Sequence, residues 1–283
     1  MSVLRNSDGL TEEEFLEQYK PADYERPSVT VDMMLVTLNK TLSNLKVLLI
    51  QRGNHPYMNC WALAGGFVNI DESCYEAACR ELEEETGITN VYLEQLYTMS
   101  KPNRDPRMRV IDVAYLALVD EVPVKAGDDA KDALWFDVCI TDSRMTLYNE
   151  ERNIRMEYKL KKKTFKNGVV KTVGYIPVLD NSEIIKNGIQ VSNETALAFD
   201  HAEIILEGLM RIKNKVEYSD IAFNLVPEEF TLPDLQKVYE TILGKELYKA
   251  NFRSKLLGKV EPLNKKGVSI SGGKKSTLYR YTG

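Results

Sequence analysis

The segment from Gly66 to Ile88 constrains this chain more than any other, because it combines a glycine pair, a helix with both ends marked and a run of glutamates. Ser73 followed by Glu76 is a capping-box start, and Gly87 stands where a left-handed C-terminal cap belongs, so a helix is predicted from Ser73 to Thr86. On a helix turning about 100° per residue, Glu81, Glu84 and Glu85 share one face. Carboxylates so close repel by roughly a few tenths of a kcal/mol per pair, so a cation is expected there, and hard oxygen donors favour Mg²⁺ or Mn²⁺. Ahead of the helix, the apolar run from Trp61 to Val68 passes through Ala62, Ala64, Gly65 and Gly66, small residues that let the backbone approach another group closely. A bare glutamate run is usually a solvated face; the glycine pair and the flanking spacing argue against that reading here.

Around this segment, alternating apolar residues predict strands at Ser28 to Thr37, Leu45 to Gln51, Val91 to Ser100, Val110 to Val119 and Ala133 to Val138. Cys139 to Glu194 is less regular. Its Lys159 to Lys163 run and Asn167-Gly168 turn read as a solvated β-hairpin. An amphipathic helix is predicted over Thr195 to Lys213, with Ala198, His201, Ile205, Leu209 and Ile212 on one side. The pattern as a whole is α+β, and 283 residues suit two domains better than one.

The polar, acidic N-terminus carries no export signal and no apolar run would span a bilayer, so a cytoplasmic protein without membrane contact is expected. Cys60, Cys74, Cys79 and Cys139 form no Cys-x-x-Cys pair and read as buried free thiols. Charge is unevenly distributed. Thr231 to Gly283 holds eleven lysines and arginines against four acidic residues, a net +7, which leaves −12 elsewhere for a total of −5. A basic segment on an acidic chain suggests a polyanionic partner.

Gly66, Glu72 and Arg80-Glu81-Leu82-Glu83-Glu84-Glu85-Thr86-Gly87-Ile88 match the box of the Nudix hydrolase superfamily at every fixed position. The resemblance implies an α/β/α sandwich with a mixed sheet, binding a divalent cation and a nucleotide-type diphosphate. It implies that Glu84 and Glu85 are metal ligands and Glu81 a ligand or general base, with Arg80 orienting the glutamates, Glu72 supporting them and a carbonyl of Gly65 or Gly66 completing the site. The loop from Ser100 to Val110 and the segment around His201 resemble the ADP-ribose and NAD-related branch, so Arg104, Arg107, Arg109 and His201 are candidate substrate-binding residues. Solvated arginines and a buried, hydrogen-bonded histidine are the plainer readings of the same residues.

Two helical patterns, Leu232 to Leu243 and Lys249 to Leu257, precede strand-like pieces at Val268 to Ser271 and Ser276 to Tyr281 joined by a Gly-Gly turn. This is the order of a winged helix-turn-helix. On that reading Lys249, Asn251, Arg253 and Lys255 reach DNA from the second helix and Lys274 and Lys275 from the wing, while Phe252, Leu256 and Leu257 are core. The text around Phe230 to Glu240 and Asn251 to Leu257 resembles the C-terminal domain of Nudix-related transcriptional regulators, which implies double-stranded DNA as a partner and a homodimer. A basic but solvated packing domain is the competing reading.

The expected organisation is therefore an extension (1–27), a Nudix domain (28–213, with a hairpin insertion about 139–194 and a closing helix 195–213) and a winged helix domain (214–283). The expected function is Mg²⁺-dependent hydrolysis of an ADP-ribose-type substrate, coupled to DNA binding. Alternatives are a regulator sensing a nucleotide-sugar or NAD-related molecule with little turnover, and a regulator sensing an unrelated sugar.

Overall fold

A computed structural model describes residues 4–20, 25–89, 91–121, 130–167, 170–179 and 196–283. Helix α1 (Glu12–Gln18) starts at a capping box made by Thr11 and Glu14 and buries no side chain. Strands β1 (Ser28–Leu38), β2 (Leu45–Arg52), β3 (Trp61–Ala62) and β4 (Ala64–Phe67) follow, then α2 (Cys74–Thr86), β5 (Tyr92–Met99), β6 (Val110–Leu118) and β7 (Ala130–Ile140). β8 (Arg144–Asn149), β9 (Ile154–Asn167) and β10 (Val170–Leu179) lead to α3 (His201–Lys215).

Strands β1 to β10 form one mixed sheet, ordered β10-β9-β8-β7-β2-β1-β6-β5, with β3 on β2 and β4 on β1. β1 runs parallel to β6 and antiparallel to β2 and β4. Because side chains alternate across a strand, β1 serves two layers. Val31, Met33 and Leu35 pack with Ala77, Ala78 and Leu82 of α2. Met34, Val36 and Leu38 share a second core with Ile204, Ile205, Leu209 and Ile212 of α3. Helices thus cover both faces, the α/β/α sandwich expected. Gly208 lets α3 approach β1 closely, since a Cβ there would meet Met34 Sδ at 2.1 Å.

The expected hairpin insertion is not a free ribbon. β8 pairs with β7, and β9 with both β8 and β10, so it continues the sheet. Met145, Leu147, Met156 and Tyr158 join the α3-side core. Lys159, Lys161 and Lys162 remain exposed, while the turn at 168–169 and residues 180–195 lie outside the described residues. The thiols also depart from expectation: Cys60 is buried, Cys74 half-buried, and Cys79 and Cys139 are exposed.

After α3, a 3₁₀ turn (Ile221–Leu225) leads to β11 (Glu229–Thr231), α4 (Leu232–Leu243), α5 (Lys249–Lys255), β12 (Val260–Val268) and β13 (Lys275–Tyr281). β13 lies between β11 and β12 in a three-stranded sheet, completing a winged helix. α4 is capped by Thr231 and closed by Gly244 in the left-handed region. Residues 269–274 form the turn, not the start of a strand, and Leu257 is 82% exposed where core was expected. The α3-side core continues into this module through Val216, Ile221, Phe230, Leu235 and Val238. Thr241 Oγ1 also donates to the Leu42 carbonyl at 2.6 Å.

Candidate functional site

β4 and α2 build the acidic wall. Gly65 and Gly66 pair with Asp32 and Val31 of β1, and a Cβ on Gly66 would lie 2.1 Å from Glu81 Oε1. The glycine is therefore a steric requirement of the Glu81 position. Ser73 and Glu76 cap the start of α2 reciprocally, and the Gly87 N–H donates to the Glu83 carbonyl at the end, as predicted. Gly65 N–H donates to Glu85 Oε2 at 2.9 Å.

Arg80 ties these parts together. Its guanidinium donates to both Glu72 oxygens at 2.7 and 3.0 Å, to Glu81 at 2.7 Å, to Glu84 at 3.2 Å and to the Phe67 carbonyl at 3.1 Å. The bidentate bond from Arg80 pulls the Glu72 carboxyl down to about 2, and Glu72 with Glu81 raises the Arg80 pKa in turn. Arg80 thus offsets part of the repulsion along the glutamate face.

A cavity of about 430 Å³ opens beside this wall, bordered by Gly65, Gly66, Glu81 and Glu85, with Arg52, Arg104 and Arg107 also lining it. Glu84 stands outside the lining, with its side chain 60% exposed. Among the described residues no three His, Cys, Asp or Glu side chains converge as a metal site. The donor chemistry still suits a hard divalent cation, since the carboxylates of Glu81 and Glu85 border the cavity next to the notch that Gly66 leaves.

The floor of the cavity rests on buried charges. Arg104, with its side chain 3% exposed, forks onto Asp200 at 2.7 and 3.1 Å and lies 3.6 Å from Asp32 and 3.9 Å from Asp112. His201 Nδ1 accepts the Leu63 N–H at 2.9 Å, which leaves the proton on Nε2, 3.4 Å from Asp32. Burial would raise Asp32, but His201 and Arg104 outweigh it and hold this carboxyl below its ordinary range. Burial and the adjacent Asp32 charge push Asp112 well above that range.

Nearer the mouth, Arg107 pairs with Asp105 at 2.7 Å and lies over the rings of Phe67 and Phe199 at 5.4 and 5.9 Å. Arg52 covers Phe199 at 5.1 Å, and burial together with the Arg107 charge lowers its pKa. Phe199 has a positive φ of 49° and stacks on His201 at 5.4 Å between ring centroids. Two guanidiniums above one ring form a cationic, aromatic surface lining the same cavity as Glu81 and Glu85.

The structure thus gathers Gly65, Gly66, Glu81, Glu85, Arg104, Arg107 and His201 around one cavity. Arg80 and Glu84 sit behind or beside it, and Arg109 lies outside, donating to the carbonyls of Ser100, Lys101 and Val110. Asp32, Arg52, Asp112, Phe199 and Asp200 were not among the candidates, although Phe199 and Asp200 adjoin His201 in the segment that carries the resemblance. On the winged helix, Lys249, Asn251, Arg253 and Lys255 are all exposed along α5, as are Lys274 and Lys275 beside the wing turn.

Comparison with known proteins places both halves. Residues 28–153 match the NUDIX domain and residues 222–281 the NrtR DNA-binding winged helix domain. The chain is 30% identical over 275 residues to the ADPR responsive transcriptional repressor NtrR of Acinetobacter baylyi, covering 96% of this chain and 88% of that one. It is 43% identical over 115 residues to an ADP-ribose pyrophosphatase of Methanocaldococcus jannaschii, covering 41% of this chain and 64% of that one. The crystal structure of Shewanella oneidensis NrtR complexed with a 27mer DNA superposes with a TM-score of 0.60 at 26% identity, covering 90% of this chain and 93% of that chain.

Proposed function

The chain belongs to the family in which a Nudix domain precedes an NrtR DNA-binding winged helix domain, and from that premise we propose that its cavity binds ADP-ribose or a close nucleoside diphosphate relative and that occupancy controls DNA binding. One observation carries the reading: the carboxylates of Glu81 and Glu85 and the guanidiniums of Arg52, Arg104 and Arg107 line a single cavity at the start of α3. The far end of that helix joins the winged helix core. A diphosphate suits this lining, its charge meeting Arg52 and Arg107 and a cation held by the carboxylates.

In this reading the ligand-binding unit is 28–213, including the insertion about 139–194 and the closing helix; 1–27 is an extension and 214–283 the DNA-binding unit. Glu84 and Glu85, with a carbonyl of Gly65 or Gly66, would hold Mg²⁺ or Mn²⁺, which when bound would neutralise diphosphate charge, and Glu81 would be a further ligand or, in turnover, the general base. Arg80 holds the glutamates in place, and Arg104 and His201 shape the pocket floor. Turnover adds water to one phosphorus and breaks the bridging P–O bond; a nucleoside monophosphate leaves and Glu81 takes the water's proton. α5 and the wing contact double-stranded DNA in the cytoplasm, and a two-fold pair of chains reads two half-sites.

A regulator with little turnover is the second reading. It is favoured by the full-length repressor relative and by the box carboxylates, which are engaged by Arg80 and Gly65 N–H without converging. Both readings predict that ADP-ribose raises the melting temperature. Only the first predicts Mg²⁺-dependent cleavage that Glu85→Gln reduces by about a thousandfold, on the scale of a lost electrostatic catalytic contact. No thermal shift at millimolar ADP-ribose would overturn the ligand assignment in both.

A further inference from the structure

The winged helix carries a buried carboxylate that nothing in the cavity or in α5 uses. Asp234, in the first turn of α4, is 5% exposed. Its Oδ1 accepts from Ser269 Oγ at 2.8 Å, Ser271 N–H at 2.9 Å and Ser271 Oγ at 3.0 Å, and its Oδ2 accepts from Thr231 Oγ1 at 2.6 Å. Three of these four donors belong to the turn of the wing.

Ser269 is the centre of that turn. Its N–H donates to the Lys274 carbonyl at 3.1 Å, its carbonyl accepts the Gly273 N–H at 2.9 Å, and its Oγ accepts the Gly272 N–H at 3.2 Å. Burial alone would raise the Asp234 pKa, but the hydroxyl and amide donors outweigh it and hold the group ionised. Charge-assisted bonds of this kind are roughly twice as strong as neutral ones. A turn with two glycines, otherwise among the loosest parts of a winged helix, is thereby fastened to α4.

We propose that Asp234 is a positioning residue for DNA binding: it fixes the wing turn so that Lys274 and Lys275 meet the phosphate backbone in a preset arrangement. This rests on the DNA-binding reading above. Ordering the turn in advance removes an entropy cost from association and keeps both lysines within reach of phosphate.

The test is fluorescence anisotropy of the full chain with a duplex from the region upstream of its own coding sequence, over a range of salt concentrations. Asp234→Ala removes the acceptor but keeps the helix cap, in which the residue 234 N–H donates to Thr231 Oγ1. Ser269→Ala with Ser271→Ala cuts the same latch from the wing side, should Asp234→Ala fail to fold. Either variant should bind about tenfold more weakly, with the slope of log K against log salt reduced by about one to two, the loss of one or two phosphate contacts. Asp234→Asn, which keeps an acceptor, should recover part of the loss, and the ADP-ribose thermal shift should not move. Wild-type affinity and slope in the cut variants, or weaker binding with an unchanged slope, would overturn the proposal. Absence of DNA binding by the wild type would instead overturn the DNA-binding reading itself.

Discussion

The floor of the cavity and the exposed face of the winged helix both depend on charge, in opposite ways. Arg104 is enclosed by Asp200, Asp32 and Asp112, and its effect is set by partners fixed in the fold. Lys249, Arg253, Lys255, Lys274 and Lys275 are exposed, and among the described residues no ion pair engages them. Charges of the first kind are shielded from salt and shape a pocket; those of the second kind await a partner and answer to ionic strength. An acidic body with a basic tail is thus two electrostatic regimes joined by α3.

The largest expected effect is at the buried end. Arg104→Met leaves Asp200 and Asp32 without their cation, so chemical denaturation should show a loss of about 3–5 kcal/mol that added salt does not restore. A loss under about 1 kcal/mol would mean that the network is solvated after all. Asp112→Asn is smaller and of opposite sign. The unfolded carboxyl ionises near 3.8 and the folded one only at higher pH. Its contribution is therefore full below 3.8 and declines as pH rises, until the folded group also ionises. An asparagine keeps an acceptor for Thr30 Oγ1 and escapes that decline, so at neutral pH the variant should be more stable than the wild type, and equal or weaker at pH 3. A variant less stable at neutral pH would show that Asp112 is ionised in the fold. The smallest effect belongs to the surface: Arg253→Ala should leave stability within about 0.5 kcal/mol while lowering the salt slope of DNA binding by about one. An unaltered slope would remove α5 from the interface.

What sequence revealed follows the same division. The caps of α2, the glutamate face and the extent of α4 were legible because each is decided within a turn or two of helix. The floor of the cavity was not, since Asp32, Arg104, Asp112 and Asp200 are brought together from β1, β6 and two loops far apart in the chain. The lysine-rich insertion concealed a sheet extension because its apolar residues, Met145, Leu147, Met156 and Tyr158, are spread over two strands that acquire a common face only when paired. Of the strand-like run Val268 to Ser271 only Val268 stays in a strand and the rest is a turn, because Ser269 and Ser271 find a better partner in Asp234, some 35 residues earlier, than in a neighbouring strand.

The proposed coupling runs through α3 from cavity to winged helix, and DNA affinity measured with and without saturating ADP-ribose tests this most directly. The prediction is a change in Kd of at least about fivefold, the lower end of ordinary coupling between sites, which Arg107→Ala removes while leaving ligand-free DNA binding unchanged. An identical Kd in the two conditions, with ADP-ribose binding confirmed by calorimetry, would contradict it.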